Sequence, residues 1–548
     1  MKRKSFILFL ILIASCLTLT GCFPAGFNIP VSQSNVATPP AKLPTPTPFQ
    51  PIPVTAEPVI LTVWISPALP PDLRTSLDPI LADPDSPFEV VEDYASAQIR
   101  VEPNPEIPLT DWTYALVSPF PTISDGMTID ELKSIWLGSD VPLLLSPSTL
   151  SAVEPFFGAP GDGSVEIVSE EALLREAWER KPILGIVPFE ALDPLWKVLE
   201  LDGLSPIRSD FRQEVYPLRI SFGLSGDPVA VEMLRMQLNW PGGNRDPDRM
   251  TTLMMTGVTA LTRATAWRME QRGITWPGEL IGDWMRNADL THVSNEVSFT
   301  DACPPPDPSP AIMRFCSSPE NIGLLEDLGV DLVELTGNHN VDWNIDPYLY
   351  TLDLYEQKQM LTFAGGENLE DALEPTIVEH NGNKLGFMGC NAVGPSYALA
   401  TETTPGAVPC TSDELWETVT ELSEAGVLPI VTFQWAEGTA LLPAQREAFQ
   451  SAVESGAIIV SGSQAHQPMG FEFYNDGFIH YGLGNLFFDQ MQSDNHRREF
   501  LDRHVFYDGR HISTELLTAY LENYAQPRPM TAEERADLLG DIFRASGW

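Results

Sequence analysis

Two short tracts carry the residue types best suited to chemistry: Glu334-Leu335-Thr336-Gly337-Asn338-His339-Asn340-Val341-Asp342 and, far downstream, Gly462-Ser463-Gln464-Ala465-His466. An Asn-His pair offers an amide oxygen to a hard cation and an imidazole to a substrate, and a terminal histidine can bind the ion directly. His339 and Asp342 could equally do metal-free acid/base work, or cap a loop. Each tract follows an apolar, β-prone run, Val330 to Leu335 and Ala457 to Val460, so the polar residues should emerge where strands end and loops begin. That edge is where α/β sheets place their chemistry.

The elements that must position these tracts belong to a chain of 548 residues, too long for one ordinary core, so two or more domains are expected. A formal charge of -43 argues against nucleic acid as a partner, because a strand or duplex needs a basic surface. A well-solvated exterior accounts for most of that charge, and a polyanionic substrate would need a locally basic or metal-filled pocket.

Lys2, Arg3 and Lys4 precede an apolar stretch from Phe6 to Leu19, the pattern of a secretory signal and too short for a convincing stop-transfer helix. Leu19-Thr20-Gly21-Cys22, closing the lipoprotein signal of residues 1–22, resembles a bacterial lipobox, which implies cleavage before Cys22, acylation of its thiol and tethering to the outer face of the cell membrane. Cys16 leaves with the signal, and of the six cysteines four remain, in two local pairs: Cys303 with Cys316 and Cys390 with Cys410. Disulfides suit an extracytoplasmic location, and the tight Cys-x-x-Cys spacing of a metal site is absent, although spacing does not prove either pairing.

Residues 23–57 form a Pro/Thr-rich linker, including Pro44-Thr45-Pro46-Thr47-Pro48, that favours extended polyproline II at roughly 3 Å per residue. From 58 to 225, strand-like runs alternate with helical ones: Val59 to Trp64, Trp112 to Val117, Glu171 to Arg180 and Ile183 to Val187. Trp112, Tyr114, Phe120, Trp136 and Trp196 could line a cleft there, but large aromatics are more often core. Trp240-Pro241-Gly242-Gly243-Asn244 marks a loop or boundary across 226–249. A second α/β domain over 250–525 should use strands Leu253 to Gly257, Val330 to Leu335, Leu385 to Met388, Val427 to Phe433, Ala457 to Val460 and Ile479 to Leu483. It should also carry a helix over Pro443 to Glu454, with Gly456 just past its end. A last helix, in 526–548, opens on the capping box Thr531-Ala532-Glu533-Glu534.

The order of motifs over 250–520 resembles the CapA family of bacterial surface proteins linked to capsule or poly-γ-glutamate synthesis. The blocks are Gly257-Val258, Asn295-Glu296, Gly337-Asn338-His339 with Asp342, Gln434-Trp435-Ala436-Glu437, Gly462 to His466, and Tyr481 to Asp489. The resemblance implies a four-layer α-β-β-α metallophosphoesterase-like fold. Leu116 to Thr122, Leu132 to Gly138 and Ile186 to Glu190 likewise look like the solute-binding-protein fold found in some lipoprotein relatives. By resemblance Asn338 is a metal ligand and His339 the general acid or transition-state stabiliser, while Glu296 could bridge metal ions. Three departures stand out: Val258 replaces an expected aspartate, and Gln434 and Gln464 replace histidines.

A two-metal site needs about seven or eight protein ligands with a bridging carboxylate, so a dinuclear centre is not expected here. Glu296, Asn338, Gln434, Gln464 and His466 could hold one hard ion such as Mn, Mg or Ca, or could form a metal-free pocket bonded to itself. Two functions remain open, beside a weaker third that rests on residues 58–225 alone, a periplasmic solute receptor for a transporter. One is a surface-anchored hydrolase or transferase on a phosphoester or on an anionic cell-surface polymer. The other is a non-catalytic envelope protein that binds or organises such a polymer.

Overall fold

The computed structural model describes residues 60–138 and 142–548, an α/β protein. The signal peptide 1–22 with Cys22, and the linker 23–57, lie outside the described residues. Among the described residues no helix is long and apolar enough to cross a membrane.

Residues 61–226 supply a ten-stranded mixed sheet. Leu61–Ile65 runs parallel between Phe88–Val90 and Ile99–Pro103, and Arg219–Gly226 returns antiparallel beside the latter. The long strand Ile107–Pro119 pairs antiparallel with Arg219–Gly226, Leu184–Pro188 and Trp196–Leu201. It is buried continuously from Trp112 to Pro119, because helices and neighbouring strands cover both faces. Trp112, Tyr114, Phe120, Trp136 and Trp196 are all at most 2% exposed, so these rings are chiefly core, with Trp112 and Phe120 each also bordering a cavity. The stretch 226–249, read as loop, contains the helix Pro228–Arg235. Asp227 caps it through the amides of Val229 and Ala230, an N-cap followed by proline at the first helical position.

Beyond Met250 two further sheets face one another. The nine-stranded one includes Met250–Thr256, Leu290–Asn295, Leu332–Glu334 and the long hairpin Arg498–Tyr507 with Arg510–Glu522. The six-stranded one is centred on Asn383–Asn391, Leu428–Gln434 and Ile459–Ser463, mutually parallel. Alternation along each strand decides which side chains go where. Leu253, Met255, Leu290, Leu332 and Phe363 meet Leu385, Phe387, Ile430, Ile459 and Phe478 between the sheets. On the outer faces Met254, Val293 and Val333 pack under Leu324, Leu325 and Tyr355, while Met388, Val431 and Val460 pack under Leu415, Val419 and Phe449. The order of layers is therefore helices, sheet, sheet, helices. The helix Pro443–Glu454 ends with Gly456 at φ +110°, and Thr531 makes both bonds of the capping box that opens Ala532–Ala545.

The first sheet and the double layer are joined by packing. Phe120, at the end of its long strand, inserts among Phe471, Phe473, Phe478, Phe543 and Trp548 with ring centroids 5.2 to 6.2 Å away. Beside it Arg535 donates to Asp125 through Nε (2.7 Å) and Nη2 (2.6 Å).

Candidate functional site

The C-terminal ends of Leu290–Asn295, Leu332–Glu334, Leu428–Gln434 and Ile459–Ser463 converge on one polar edge, and the two chemical tracts follow the second and fourth of these strands. Close approach needs glycine: a Cβ on Gly337 would lie 2.4 Å from the Cα of Glu296. That contact, with the β-bridge between Val297 and His339, brings Glu296, Asn338 and His339 together.

His339 Nδ1 lies 2.7 Å from Asp342 Oδ2. Asp342 also accepts from the backbone amide of Phe315 (2.9 Å) and from the hydroxyl of Tyr397 (3.1 Å). Three donors on one carboxylate suit its ionised form, and a proton on Nδ1 leaves Nε2 to face a substrate. Burial works against a charged His339, but the Asp342 bond and the charges of Glu296 and Asp342 outweigh it and raise its pKa. The ring packs against Phe315, centroids 4.5 Å apart, and keeps 20% side-chain exposure.

Glu296 is 1% exposed, and neither carboxylate oxygen meets a hydrogen-bond donor among the described residues. Burial pushes its pKa up to about 7, opposed by the charge of His339. Asn295 turns the other way, donating to Val297 O (2.8 Å) and to the Tyr355 hydroxyl (2.7 Å), so it anchors a helix.

The remaining predicted residues form an amide network. Gln434 Nε2 donates to Asn338 Oδ1 (3.2 Å) and to Gln464 Oε1, and its own oxygen accepts from Ser463 (3.0 Å). His466, stacked on Phe488 with centroids 4.8 Å apart, bonds Asn485 Oδ1 through Nδ1 (2.8 Å). Burial pushes its pKa down to about 4, so it is a neutral imidazole. Gln464 and His466 both have positive φ, +76° and +54°, conformations held by the surrounding contacts. Val258 is buried between Ser294 and Asn485 and offers no donor. Glu437, the acid of the fourth block, is exposed at the rim.

Val258, Gln434 and Gln464 place an alkyl group and two neutral amides at three positions of this edge. Among the described residues no group of three or more His, Cys, Asp and Glu is placed to hold a metal ion. The NH₂ of Gln434 points at the two amide oxygens that a cation would need. Within this set the bare carboxylate of Glu296 calls for a positive partner.

Several neighbours carry no motif signal. Phe315 and Arg314 come from the segment closed by the Cys303–Cys316 disulfide, and Tyr397 from a separate loop. Arg263 opens the helix Arg263–Arg272, and Asp489 binds both its guanidinium and the next amide, that of Ala264. Asp489 was within a recognisable tract, the Tyr481 to Asp489 block, but its arginine partner was not. The second disulfide is Cys390–Cys410, so both local pairs form.

Fold and site together define an α/β protein with a polar, acid/base-capable cluster at the C-terminal edge of two facing sheets. Residues 252–490 match the family model described as "Bacterial capsule synthesis protein PGA_cap". Over 184 residues the chain is 26% identical to "Capsule biosynthesis protein CapA" of Bacillus anthracis, covering 32% of this chain and 45% of that one. Over 174 residues it is 25% identical to "PGA biosynthesis protein CapA" of Bacillus subtilis (strain 168), covering 31% and 46%. The match thus spans about half the length of these curated relatives. Among solved structures, a 5'-nucleotidase precursor from Thermus thermophilus overlaps 54% of this chain and 59% of its own, at 11% identity and a TM-score of 0.30. Residues 252–490 are thus similar to the CapA family of capsule biosynthesis proteins.

Proposed function

We propose that this is an extracytoplasmic protein, lipid-anchored at Cys22, that acts on an anionic cell-surface polymer of the capsule or poly-γ-glutamate type. In this reading residues 250–525 are a metallophosphoesterase-like domain that has moved away from two-metal chemistry, and residues 58–225 a solute-binding-like domain. The carrying observation is the His339–Asp342 pair, clamped by Phe315 and Tyr397 and opening beside Glu296. Asp342 holds the imidazole so that Nε2 can deliver a proton to a leaving group during hydrolysis or transfer.

The test is turnover of a γ-linked glutamate polymer and of a model phosphoester by the purified full chain. His339→Ala should lower the rate about 100-fold or more, the usual share of a general acid. An unchanged rate would leave a non-catalytic protein that binds or organises the polymer, a reading favoured by the self-bonded amides of Asn338, Gln434 and Gln464.

The unpartnered oxygens of Glu296 support a second reading, a single hard divalent ion held by Glu296, Asn338, Gln434, Gln464 and His466. That ion would supply a positive charge and polarise a bound oxygen, and Gln434 would first have to turn its amide over. Elemental analysis after equilibration with Mn, Mg and Ca decides it: about one ion per chain, lost in His466→Ala, supports the ion, and no retained ion removes it.

A further inference from the structure

A polyanion approaching a chain of net charge -43 is repelled at long range, so any site that takes one must supply cations locally. Two arginines stand around Phe315, the ring that supports His339. Arg263 is fixed on three sides. Its Nε donates to Asp489 Oδ2 at 3.1 Å, its Nη2 lies 2.6 Å from Oδ1 as an ion pair, and its guanidinium lies over the rings of Phe315 and Phe488 at 5.1 and 5.4 Å. Among the described residues nothing hydrogen-bonds its third nitrogen, Nη1. The same two rings pack on His339 and His466, which places Arg263 beside the cluster.

Arg314 is exposed, lies over Trp343 at 5.1 Å, and donates through Nε to the backbone oxygen of Asp342. It has no carboxylate partner among the described residues. Both arginines line one cavity of about 580 Å³ between the helix Arg263–Arg272 and the disulfide-closed segment 303–316. Glu270, Asp307 and Glu320 also line it, so positive character is confined to the wall beside Phe315.

We propose that Arg263 and Arg314 form an anion-binding subsite that seats one carboxylate or phosphate group of the polymer in this cavity, next to His339. Arg263 is the preorganised member, held by Asp489 and two aromatic faces, and Arg314 is the adaptable one at the mouth. Planar guanidinium groups suit either oxyanion. The subsite rests on the reading that His339 acts on such a polymer, and it supplies the positioning that this reading lacks.

The experiment is equilibrium binding of two probes to the full chain, an oligomer of γ-linked glutamate and an oligomer of glycerol phosphate, at low and high salt. Preference between them tells which oxyanion the subsite takes. Arg314→Gln, on an exposed residue, should raise Kd about fivefold or more and flatten the salt dependence. Arg263→Lys keeps the charge but not the planar fork and should also weaken binding; if it fails to fold, Arg314→Gln alone decides. Kd values within twofold of the parent in folded variants, or no salt-sensitive binding of either probe, would overturn the subsite. His339→Ala separates the two ideas. Binding kept while turnover is lost supports both, whereas turnover kept while Arg314→Gln weakens binding rejects the acid role and leaves the subsite standing.

Discussion

Replacing Cys303 and Cys316 with serine should loosen the wall of the site without unravelling the domain. The two cysteines are 13 residues apart, and closing a loop of that length removes about 3 kcal/mol of chain entropy from its open state. The segment ends on Arg314 and Phe315, where the Phe315 amide bonds Asp342 and its ring supports His339 and Arg263. Beyond it, Ser317 is tied independently, its amide to Ser298 O (2.9 Å) and its hydroxyl to Leu261 O (2.6 Å). The freedom gained should therefore appear as local opening that starts N-terminal to Ser317. Opening made easier by about 3 kcal/mol speeds exchange of the Phe315 amide by about two orders of magnitude, which hydrogen exchange with fragment analysis can read. Serine variants of Cys390 and Cys410 should leave that amide as protected as in the parent. Phe315 protection unchanged within threefold in the first variant would refute the claim that the disulfide holds this wall.

Phe120→Ala removes a ring that is 2% exposed and touches five aromatic partners across the junction of the first sheet and the double layer. It should cost about 3 to 5 kcal/mol in denaturant unfolding, and a loss under about 1 kcal/mol would mean the junction is not packed as described. Acid should destabilise the protein through two histidines of the long hairpin. Burial pushes His511 from its ordinary 6.5 down to about 4 and holds His504 well below its ordinary value, and both share the hydroxyl of Thr514. A depressed imidazole contributes stability that is fully present above about pH 6.5 and is lost as pH falls towards 4, on the order of 3 kcal/mol for His511. His511→Asn should flatten the decline of melting temperature between pH 6.5 and 4, and an unaltered slope would show that His511 does not carry it.

Much of this molecule follows from short-range pattern. The alternating runs that end at Glu334 and Ser463 form strands because their apolar side chains have a sheet face to bury, and the tracts after them must therefore leave the sheet at one edge. The helix Pro443–Glu454 and the Thr531 cap were legible because proline, glycine and a capping box act through the backbone of their own turn. His339 and Asp342 lie three residues apart on one loop, so their pairing is likewise local. The helix Pro228–Arg235 was hidden because it is only eight residues long and lies close to a Gly- and Pro-rich stretch that dominates the window.

Long-range closure decided the rest. Arg263, Phe315, Tyr397 and Asp489 come from four distant segments, and no spacing rule brings an unmarked arginine at a helix start onto a ring from a disulfide loop. The direction of the Gln434 amide, which turns a row of potential ligands into a self-bonded network, depends on Ser463 and Gln464 from the neighbouring strand and its following loop. The sequence by itself determined the sheets, the exposed edge and the residue types gathered there, because periodicity and turn chemistry are local. Only the tertiary structure decided which of those groups are charged, paired or bare, because burial and partners are set by residues far apart in the chain.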